Sequence, residues 1–350
     1  MRCLKVEKSK IQPVKRLLID NSAIDFDYLM GSDDSFGYFS IVLHALDDPK
    51  LRSKLVEVLG SEPVFSDFVL KENKKKRGTL KELLSGKLSD EELSYLKTSM
   101  DVVGDIAILE IDDELSSKEK LIAEEFLMVN KAIKTVVKKS GKHQGIFRIQ
   151  DHEFLAGENK SITIDKENNV RLKVDINKMY FSSRFSTERL RIADLVMPGE
   201  DVLVMFSGCA PFPCVISKNS DAANVVGIEI NPDAHRFGLE NIKINKLSNV
   251  SLVCGDVREE VPKLSKKFDR IVMPLPMDAG DFLDTALLVS KKNTKIHVYD
   301  FRRENDFDKA IKKVEDIGKE NGVLIKVSNV VKCGQFSPRV FRVCLDCVII

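Results

Sequence analysis

The sequence predicts an α/β protein in which a doubly wound, mostly parallel sheet of seven strands is preceded by two smaller α/β domains. First, short apolar runs alternate with helical segments from Tyr180 onward, the pattern of a parallel sheet covered by helices. Second, the last connection, at about residues 331–339, is too short for a helical crossover and favours a final antiparallel hairpin. The predicted strands span residues 202–206, 225–230, 251–253, 270–273, 295–299, 324–330 and 340–345.

The predicted domain organisation depends on chain length and on one basic run. At 350 residues the chain is long enough for two or three domains. The run from Lys71 to Arg77, closed by Gly78, is typical of an exposed linker. We therefore predict a small N-terminal domain at residues 1–70, a middle domain at 76–178 and a large domain at 179–350.

The middle domain contains three predicted strands and an amphipathic helix. Apolar or alternating runs predict the strands at residues 146–149, 161–164 and 170–176. The helix is predicted from Ser117 to Val129, with the Ser117 hydroxyl as its N-cap.

The composition is that of a globular protein, with 43% hydrophobic residues, 31% charged residues and a formal net charge of +1. No apolar run approaches the ~20 residues that span a bilayer, and residues 1–6 do not resemble a signal peptide. We therefore expect a cytoplasmic protein without membrane contact.

The seven cysteines are expected to be reduced and mostly buried. Cys344 and Cys347 form a C-x-x-C, but their odd spacing on a strand points the thiols to opposite faces, so no metal is expected.

The motif around which the large domain is organised is the apolar run 202–206 with the turn residue Gly208 after it. About 20 residues further on, Glu229 lies near the end of the next strand, the spacing that places a carboxylate on a ribose. The turn lacks the later glycines of G-x-G-x-x-G, which disfavours NAD and FAD, whereas S-adenosylmethionine has no phosphate to accommodate. Asp256, after the third strand, is placed to meet the adenine end of such a cofactor. The alternatives are a helix N-cap for Asp256 and a surface acid before a turn for Glu229.

Several stretches, taken in order, resemble the archaeal and eukaryotic tRNA guanine-N1 methyltransferases that act at position 37, beside the anticodon, and their wybutosine-pathway relatives. The resemblance implies a Rossmann-like class I methyltransferase domain, and the small N-terminal domain is similar to one that grips the outer corner of the tRNA in relatives. The matching stretches are residues 101–105, 147–148, 155–159, 180–184, 187–189, 206–208, 229–232, 255–258, 273–276 and 337–339.

The resemblance implies that Glu188 is the general base and that Arg148 contacts the target base. The chemistry suits both residue types: guanine N1 carries a proton that a carboxylate can take, and a guanidinium stabilises the negative charge that develops on O6. The alternatives are a first-turn acid favoured by the helix dipole for Glu188 and an ordinary surface arginine for Arg148. The family pattern also implies a pocket for S-adenosylmethionine formed by Tyr180, Arg184, Arg189, Phe206, Gly208, Glu229, Ile230, Asp256, Val257 and Pro274.

Basic residues gather in two runs, which indicate a phosphate-binding surface for tRNA although such runs can also be solvated faces. The predicted tRNA contacts are Lys74, Lys75, Lys76, Arg77, Lys138, Lys139 and Arg339.

The chain departs from the family pattern at three positions. Val204 replaces an Asp, Ala210 replaces the second glycine of the turn, and Pro274 replaces the Asn of an Asn-Leu-Pro motif. Pro274 together with Glu229 resembles the archaeal subgroup that also methylates C7 of the imidazopurine intermediate of wyosine. Two alternatives to guanine methylation are the related aminocarboxypropyl transferase and a non-catalytic tRNA-binding protein with a decayed cofactor site. A monomer is the family expectation.

Overall fold

The structure is a computed structural model that describes residues 2–21, 23–25, 28–42, 48–71, 80–97, 100–275, 279–337 and 339–350. The chain divides into two compact units, Met1–Leu83 and Leu84–Ile350. The limits predicted for three domains stay predictions. None of the helices in these described ranges is long and apolar enough to cross a membrane.

The first unit is a four-stranded antiparallel sheet with two helices. Its elements are β1 (Arg2–Glu7), α1 (Ile11–Asp20), β2 (Gly31–Ser32), β3 (Phe36–Phe39), α2 (Pro49–Leu59) and β4 (Val64–Asp67). The strand order is β2-β3-β1-β4. Helix α2 begins where the Asp48 side chain accepts a hydrogen bond from the Lys50 amide and ends at Gly60, whose φ of +70° closes the last turn. Both helices pack on the sheet through buried leucines such as Leu18 and Leu55.

The second unit begins with a mixed sheet and a separate hairpin. After α3 (Leu80–Leu84), which spans the division between the units, its elements are α4 (Asp90–Tyr95), β5 (Met100–Val103), β6 (Ile106–Leu109), α5 (Glu119–Val129), β7 (Thr135–Gln144), β8 (Ile149–Gly157), β9 (Ile162–Glu167) and β10 (Val170–Asp175). The sheet order is β5-β6-β7-β8, with β6 and β7 parallel because α5 crosses between them.

Two predictions for this region are wrong. Ser117 does not cap the helix, because a 3-10 helix at Asp113–Lys118 leads into α5 and leaves Lys118 at the N-cap. Residues 145–148 form a turn between β7 and β8 instead of a strand, and Arg148 lies in it with a φ of +52°.

The seven-stranded sheet fills the rest of the chain and confirms the predicted fold class. Its elements are α6 (Ser186–Asp194), β11 (Asp201–Met205), α7 (Pro211–Asn219), β12 (Asn224–Glu229), α8 (Pro232–Asn245), β13 (Val250–Cys254), α9 (Val257–Glu260), β14 (Arg270–Met273), α10 (Leu283–Leu287), β15 (Lys295–Arg303), α11 (Phe307–Glu320), β16 (Ile325–Ser337) and β17 (Val340–Ile349). The order is β13-β12-β11-β14-β15-β17-β16. The first five strands are parallel, and β17 runs antiparallel to both of its neighbours, as the short last connection predicts.

The two faces of this sheet are packed separately, and the cysteines of β17 divide between them. Cys344 belongs to the core on one face and Cys347 to the core on the other. Both thiols are buried, and burial raises the pKa of each well above its ordinary value. The predicted alternation of the two thiols is therefore confirmed.

The hairpin β9–β10 is joined to the large sheet by side-chain amides of α8. Asn241 accepts a hydrogen bond from the Lys173 amide at 2.7 Å and donates to its carbonyl at 3.1 Å. One turn later, Asn245 makes the same pair of bonds with Arg171, at 2.8 and 2.7 Å. These bonds satisfy the backbone of the edge strand.

Candidate active site

Most of the predicted cofactor residues lie at the carboxyl ends of the parallel strands. From β11 the chain winds outward through β12 and β13, then returns to the other side of β11 as β14. This reversal opens a crevice between the ends of β11 and β14, the position where open α/β sheets bind ligands. The predicted residues at or just after the strand ends here are Phe206, Gly208, Glu229, Ile230, Asp256, Val257 and Pro274.

Glu229 is bound to the turn that contains Gly208. Its Oε2 accepts a hydrogen bond from the Gly208 amide at 2.7 Å, and its Oε1 accepts one from the Asn231 amide at 2.8 Å. Burial raises the pKa of Glu229, although these backbone hydrogen bonds act in the opposite direction. The carboxylate therefore has a fixed orientation at the strand end, with lone pairs left for a ligand hydroxyl.

Space for a ligand exists above the Gly208 backbone. Gly208 has a φ of +56°, and a Cβ built there would meet only the Tyr180 carbonyl at 3.9 Å and Pro211 at 4.0 Å. The Ser207 hydroxyl beside it is buried without a hydrogen-bond partner. An open glycine and a fixed carboxylate suit the sugar and amino-acid parts of S-adenosylmethionine, so the residues present fit this cofactor.

The turn contains two non-glycine residues in the left-handed conformation. Phe206 has a φ of +59° and Ala210 a φ of +64°. Each such residue costs about 1 kcal/mol or more relative to glycine, and strained backbone of this kind is concentrated at ligand sites. Phe206 is held by an edge contact with Phe282 at a centroid distance of 5.0 Å. Val204, the other departure in this motif, is fully buried in β11.

Asp256 begins helix α9. One of its oxygens accepts a hydrogen bond from the Arg258 amide at 2.8 Å. Asp256 is therefore the helix N-cap, which was the alternative to a cofactor contact. The N-cap role and a cofactor contact are compatible, because the carboxylate has a second oxygen. Val257 is buried, and Ile230 and Pro274 are half-buried.

A cleft of about 320 Å³ lies between the mixed sheet and the seven-stranded domain. Its wall includes Lys139, Arg148, Tyr180, Arg184, Phe336 and Arg342. The Arg184 Nε lies 2.6 Å from Asp101, and Lys139 lies 2.6 Å from Glu110 and 3.1 Å from Asp101. The structure thus brings Arg148, Tyr180 and Arg184 into one cavity.

Glu188 lies behind this cleft, with 4% of its surface exposed. The Arg191 guanidinium contacts both carboxylate oxygens, with Nε and Nη2 each at 2.7 Å, and the Tyr299 hydroxyl donates to Oε1 at 2.6 Å. Cys333 lines the cleft and also lies close to Glu188, while its thiol donates a hydrogen bond to the Val331 carbonyl at 3.4 Å. Burial, followed by the neighbouring carboxylate, raises the pKa of the Cys333 thiol.

The Glu188 ion pair is the end of a longer buried network. Arg191 also binds Asp346 through two hydrogen bonds of 2.8 and 3.2 Å, and Asp346 accepts one from His297 Nδ1 at 2.6 Å. The other ring nitrogen, Nε2, lies 2.7 Å from Arg270 Nη1. Because arginine can only donate, His297 is neutral and carries its proton on Nδ1. Burial lowers the pKa of His297 although Asp346 acts in the opposite direction.

This network could not be predicted from the sequence. Its one visible signal is Asp346, a charged residue in the apolar run of the last strand. The atoms of His297, Cys344 and Asp346 lie within 4.8 Å of one another, but their hydrogen bonds assign them to the charge network. The expectation that no metal takes part stays a prediction.

Arg189 is buried, and its guanidinium is hydrogen-bonded to other groups of the protein. Its Nε and Nη2 each lie 2.5 Å from a Glu167 oxygen, and Nη2 also donates to the Ser182 carbonyl at 3.1 Å. Only 2% of its surface is exposed. In this structure Arg189 fixes the segment around Ser182, and its direct contact with the cofactor stays a prediction.

The predicted tRNA contacts differ in how their charges are compensated. Lys138 lies 2.7 Å from Glu119 and 3.1 Å from Glu153, so carboxylates surround it as they do Lys139. Arg339 is exposed in the tight turn between β16 and β17, with a φ of +63°. Lys74, Lys75, Lys76 and Arg77 lie outside the described residues.

Comparison with known proteins decides the family. The family model described as the TRM5/TYW2 methyltransferase domain matches residues 163–326, the TYW2 N-terminal domain matches 80–160 and the tRNA methyltransferase 5 N-terminal domain matches 3–41. A protein of Pyrococcus abyssi named tRNA (guanine(37)-N(1))-methyltransferase Trm5b is 32% identical over 98% of this chain and 97% of its own length. The chain belongs to the TRM5/TYW2 methyltransferase family.

Other TRM5/TYW2 members match over the whole length as well. A protein of Methanocaldococcus jannaschii with the same name is 35% identical over 98% of this chain and 97% of its own length. A solved structure titled as the complex of aTrm5 and tRNALeu superposes with a TM-score of 0.69 at 33% identity, covering 100% of both chains. The resemblance stated from the sequence motifs is therefore confirmed.

Proposed function

We propose that the protein is an S-adenosylmethionine-dependent tRNA methyltransferase that transfers a methyl group to N1 of guanosine 37. The observation that supports it most directly is the buried Glu188 carboxylate, which lies close to Cys333 of the cleft wall and is bound on both oxygens by Arg191. The names of full-length relatives point to the same reaction.

Glu188 is the general base of this proposal. Guanine N1 has no free lone pair until its proton leaves, so a carboxylate must accept that proton as the methyl group arrives. The Arg191 guanidinium binds both oxygens of Glu188 and orients the carboxylate before the substrate enters. A displacement of the Cys333 side chain would open the route from the cleft to the carboxylate.

Arg148 stabilises the charge that develops on the base. Loss of the N1 proton places negative charge on O6, and a guanidinium provides planar, permanently charged donors for it. Arg148 lies in the turn between β7 and β8 and lines the same cleft as Tyr180. The left-handed backbone at Arg148 is consistent with a residue held in a special orientation for function.

The cofactor is proposed to bind at the carboxyl edge of β11, β12 and β14. Glu229 would accept hydrogen bonds from the ribose, Gly208 would allow close approach to the backbone, and Asp256 would face the adenine. Phe206, Ile230, Val257 and Pro274 would line the pocket, and Tyr180 would close it from the segment before α6. When bound, the cofactor supplies an activated methyl group on its sulfonium.

The tRNA contacts at Lys138, Lys139 and Arg339 are part of the same proposal, as are monomeric action in the cytoplasm and the absence of a metal. The second methylation, at C7 of the imidazopurine intermediate, is a further prediction supported by Pro274 and Glu229.

The decisive experiment incubates the protein with labelled S-adenosylmethionine and unmodified tRNA transcripts that carry G or A at position 37. Mass spectrometry then maps the modified base. We expect one methyl group on N1 of G37 and none on the A37 transcript. Equal methylation of the A37 transcript, or methylation elsewhere, would exclude the proposed reaction. Transfer of an aminocarboxypropyl group would identify the alternative enzyme, and failure to bind S-adenosylmethionine would identify a decayed module.

A further inference from the structure

One arginine of the cleft has no anionic partner among the residues that the structure describes. Arg342 lies on β17 with its guanidinium 4.0 Å from the ring centre of Phe185 and 5.5 Å from that of Phe301. Its Nε is buried without a hydrogen-bond partner, and the side chain lines the cleft. Within the described part of the chain, no carboxylate forms an ion pair with it.

The neighbouring arginines are different in this respect. Arg184 is bound to Asp101, Arg189 to Glu167, and Arg191 to Glu188 and Asp346. Burial lowers the pKa of Arg342, and the nearby charges of Arg184 and Arg189 act in the same direction. A half-buried cation without an anion is unfavourable for the folded protein, so an anion from outside the chain would be strongly attracted to it.

We propose that Arg342 binds a backbone phosphate of the RNA whose base enters the cleft. This inference rests on the proposed function and adds a substrate contact to it. Stacking on Phe185 holds the flat guanidinium in place, and planar guanidinium groups bind phosphate through paired hydrogen bonds. The ring centres of Phe336 and Phe301 are 4.3 Å apart. Phe336 has 62% of its surface exposed and offers a ring on which an unpaired base can stack.

The other available anion is the carboxylate of the cofactor, and the sheet geometry disfavours it. Arg342, on β17, is paired with Phe301 of β15 on one side and with Gly334 of β16 on the other. The proposed cofactor edge is at β11, β12 and β14, on the far side of β15. Three strands, β11, β14 and β15, therefore separate the strand of Arg342 from that of Glu229, and the cleft that Arg342 lines is shared with Tyr180.

The test measures tRNA affinity against salt concentration for Arg342→Met and Arg342→Lys. Loss of one phosphate contact should weaken tRNA binding about tenfold at low salt and reduce the slope of log K against log salt by about 0.7. Arg342→Lys should retain the slope because the charge remains. Arg236→Met is the matched control, since Arg236 is an exposed arginine that Asp233 and Glu240 already compensate on α8. An unchanged slope in Arg342→Met, or a lower affinity for S-adenosylmethionine, would overturn the proposal.

Thermal unfolding of the same variants separates binding from structural support. If Arg342 awaits an external anion, Arg342→Met should melt at the same temperature as the wild type or higher, because an unpaired buried charge is removed. A clear fall in Tm would show that Arg342 supports the fold and would count against the proposal. Wild-type methylation of the same transcript is measured in parallel. Normal methylation with an unaltered salt slope in Arg342→Met refutes only the Arg342 contact.

Discussion

Glu188 and Arg191 form a two-bond ion pair one turn apart on helix α6, and Arg191 reaches from it to Asp346 on the last strand. The helix thus presents its carboxylate in one orientation, and a residue 155 positions later in the chain holds the arginine that fixes it. This relationship predicts that two kinds of variant should impair methyl transfer: one that removes the Glu188 carboxylate, and one that removes the Asp346 carboxylate bound to Arg191.

Replacing Glu188 by alanine should slow methyl transfer at least ~100-fold, because no other group would accept the N1 proton. Affinity for S-adenosylmethionine should stay close to that of the wild type, since Glu188 is not at the cofactor edge. Single-turnover kinetics and equilibrium dialysis measure the two quantities. Asp194→Ala removes an exposed carboxylate from the same helix and serves as the control. A normal single-turnover rate in Glu188→Ala would remove Glu188 from the mechanism.

Replacing Asp346 by asparagine should lower the methyl-transfer rate through Arg191 and also destabilise the protein. Burial would raise the pKa of Asp346, but the hydrogen bonds from His297 and Arg191 outweigh it and hold that pKa well below its usual range. Near pH 7 we expect a loss of about 2–3 kcal/mol in the free energy of unfolding. The control Asp300→Asn removes a more exposed pair with Arg302 and should cost less than about 1 kcal/mol.

The pH dependence of the Asp346 effect follows from the direction of its pKa shift. A carboxyl whose pKa is depressed in the folded state stabilises the protein above its unfolded pKa of about 3.9, and this stabilisation is lost as the pH falls further. The stability difference between wild type and Asp346→Asn should therefore be constant near neutral pH and shrink below about pH 4. Denaturant unfolding at several pH values measures it. A difference that grows on acidification would contradict the ion-pair assignment.

Replacing Glu229 by glutamine should weaken S-adenosylmethionine binding about tenfold or more, because a charged acceptor at the ribose is lost. The amide would also turn one donor toward the Gly208 or Asn231 amide. Since burial raises the pKa of Glu229, wild-type affinity should decline on acidification before an ordinary carboxyl would protonate. Isothermal titration at several pH values tests both statements, with Glu240→Gln on α8 as the control. If the wild type and Glu229→Gln bound S-adenosylmethionine equally well at all pH values, the ribose would not be bound by Glu229.

Neutralising Lys74, Lys75 and Lys76 together should weaken tRNA binding and flatten its dependence on salt, because counterion release scales with the number of phosphate contacts. Lys138→Met should have the smaller effect per charge, since Glu119 and Glu153 already compensate this lysine. Filter binding over a salt series measures the slopes. An unaltered slope in the triple variant would make the run a solvated linker.

The parts of the fold that depend on local pattern could be predicted from the sequence. Buried parallel strands are continuous apolar runs, so β11 and β12 were recognisable, and the last hairpin followed from a connection too short to cross the sheet. The opposite orientation of Cys344 and Cys347 followed from the two-residue period of a strand. Ser117 was misassigned because an additional turn of helix precedes α5, and such additions have no strong sequence signal.

The parts of the site that depend on distant residues could not be predicted in this way. Nothing near Glu188 in the sequence indicates that Asp346 and Tyr299 will surround it, since the strand order that brings them together is a property of the whole sheet. The pairing of Arg189 with Glu167 has the same origin, because it joins α6 to the β9–β10 hairpin. The family resemblance could indicate that Glu188 is the general base, but it could not indicate which groups orient its carboxylate.

The position of β17 between β15 and β16 has a consequence for the order in which the site is assembled during synthesis. The strands that form the cofactor edge leave the ribosome first, whereas Cys333, Arg342, Cys344 and Asp346 all belong to the final hairpin. A nascent chain that already contains β11 to β14 thus lacks one wall of the cleft and one of the two carboxylates that bind Arg191. Its Glu188 would be neither fully fixed nor enclosed until residue 346 inserts beside β15. Translation itself would therefore delay catalytic competence until the fold is nearly finished.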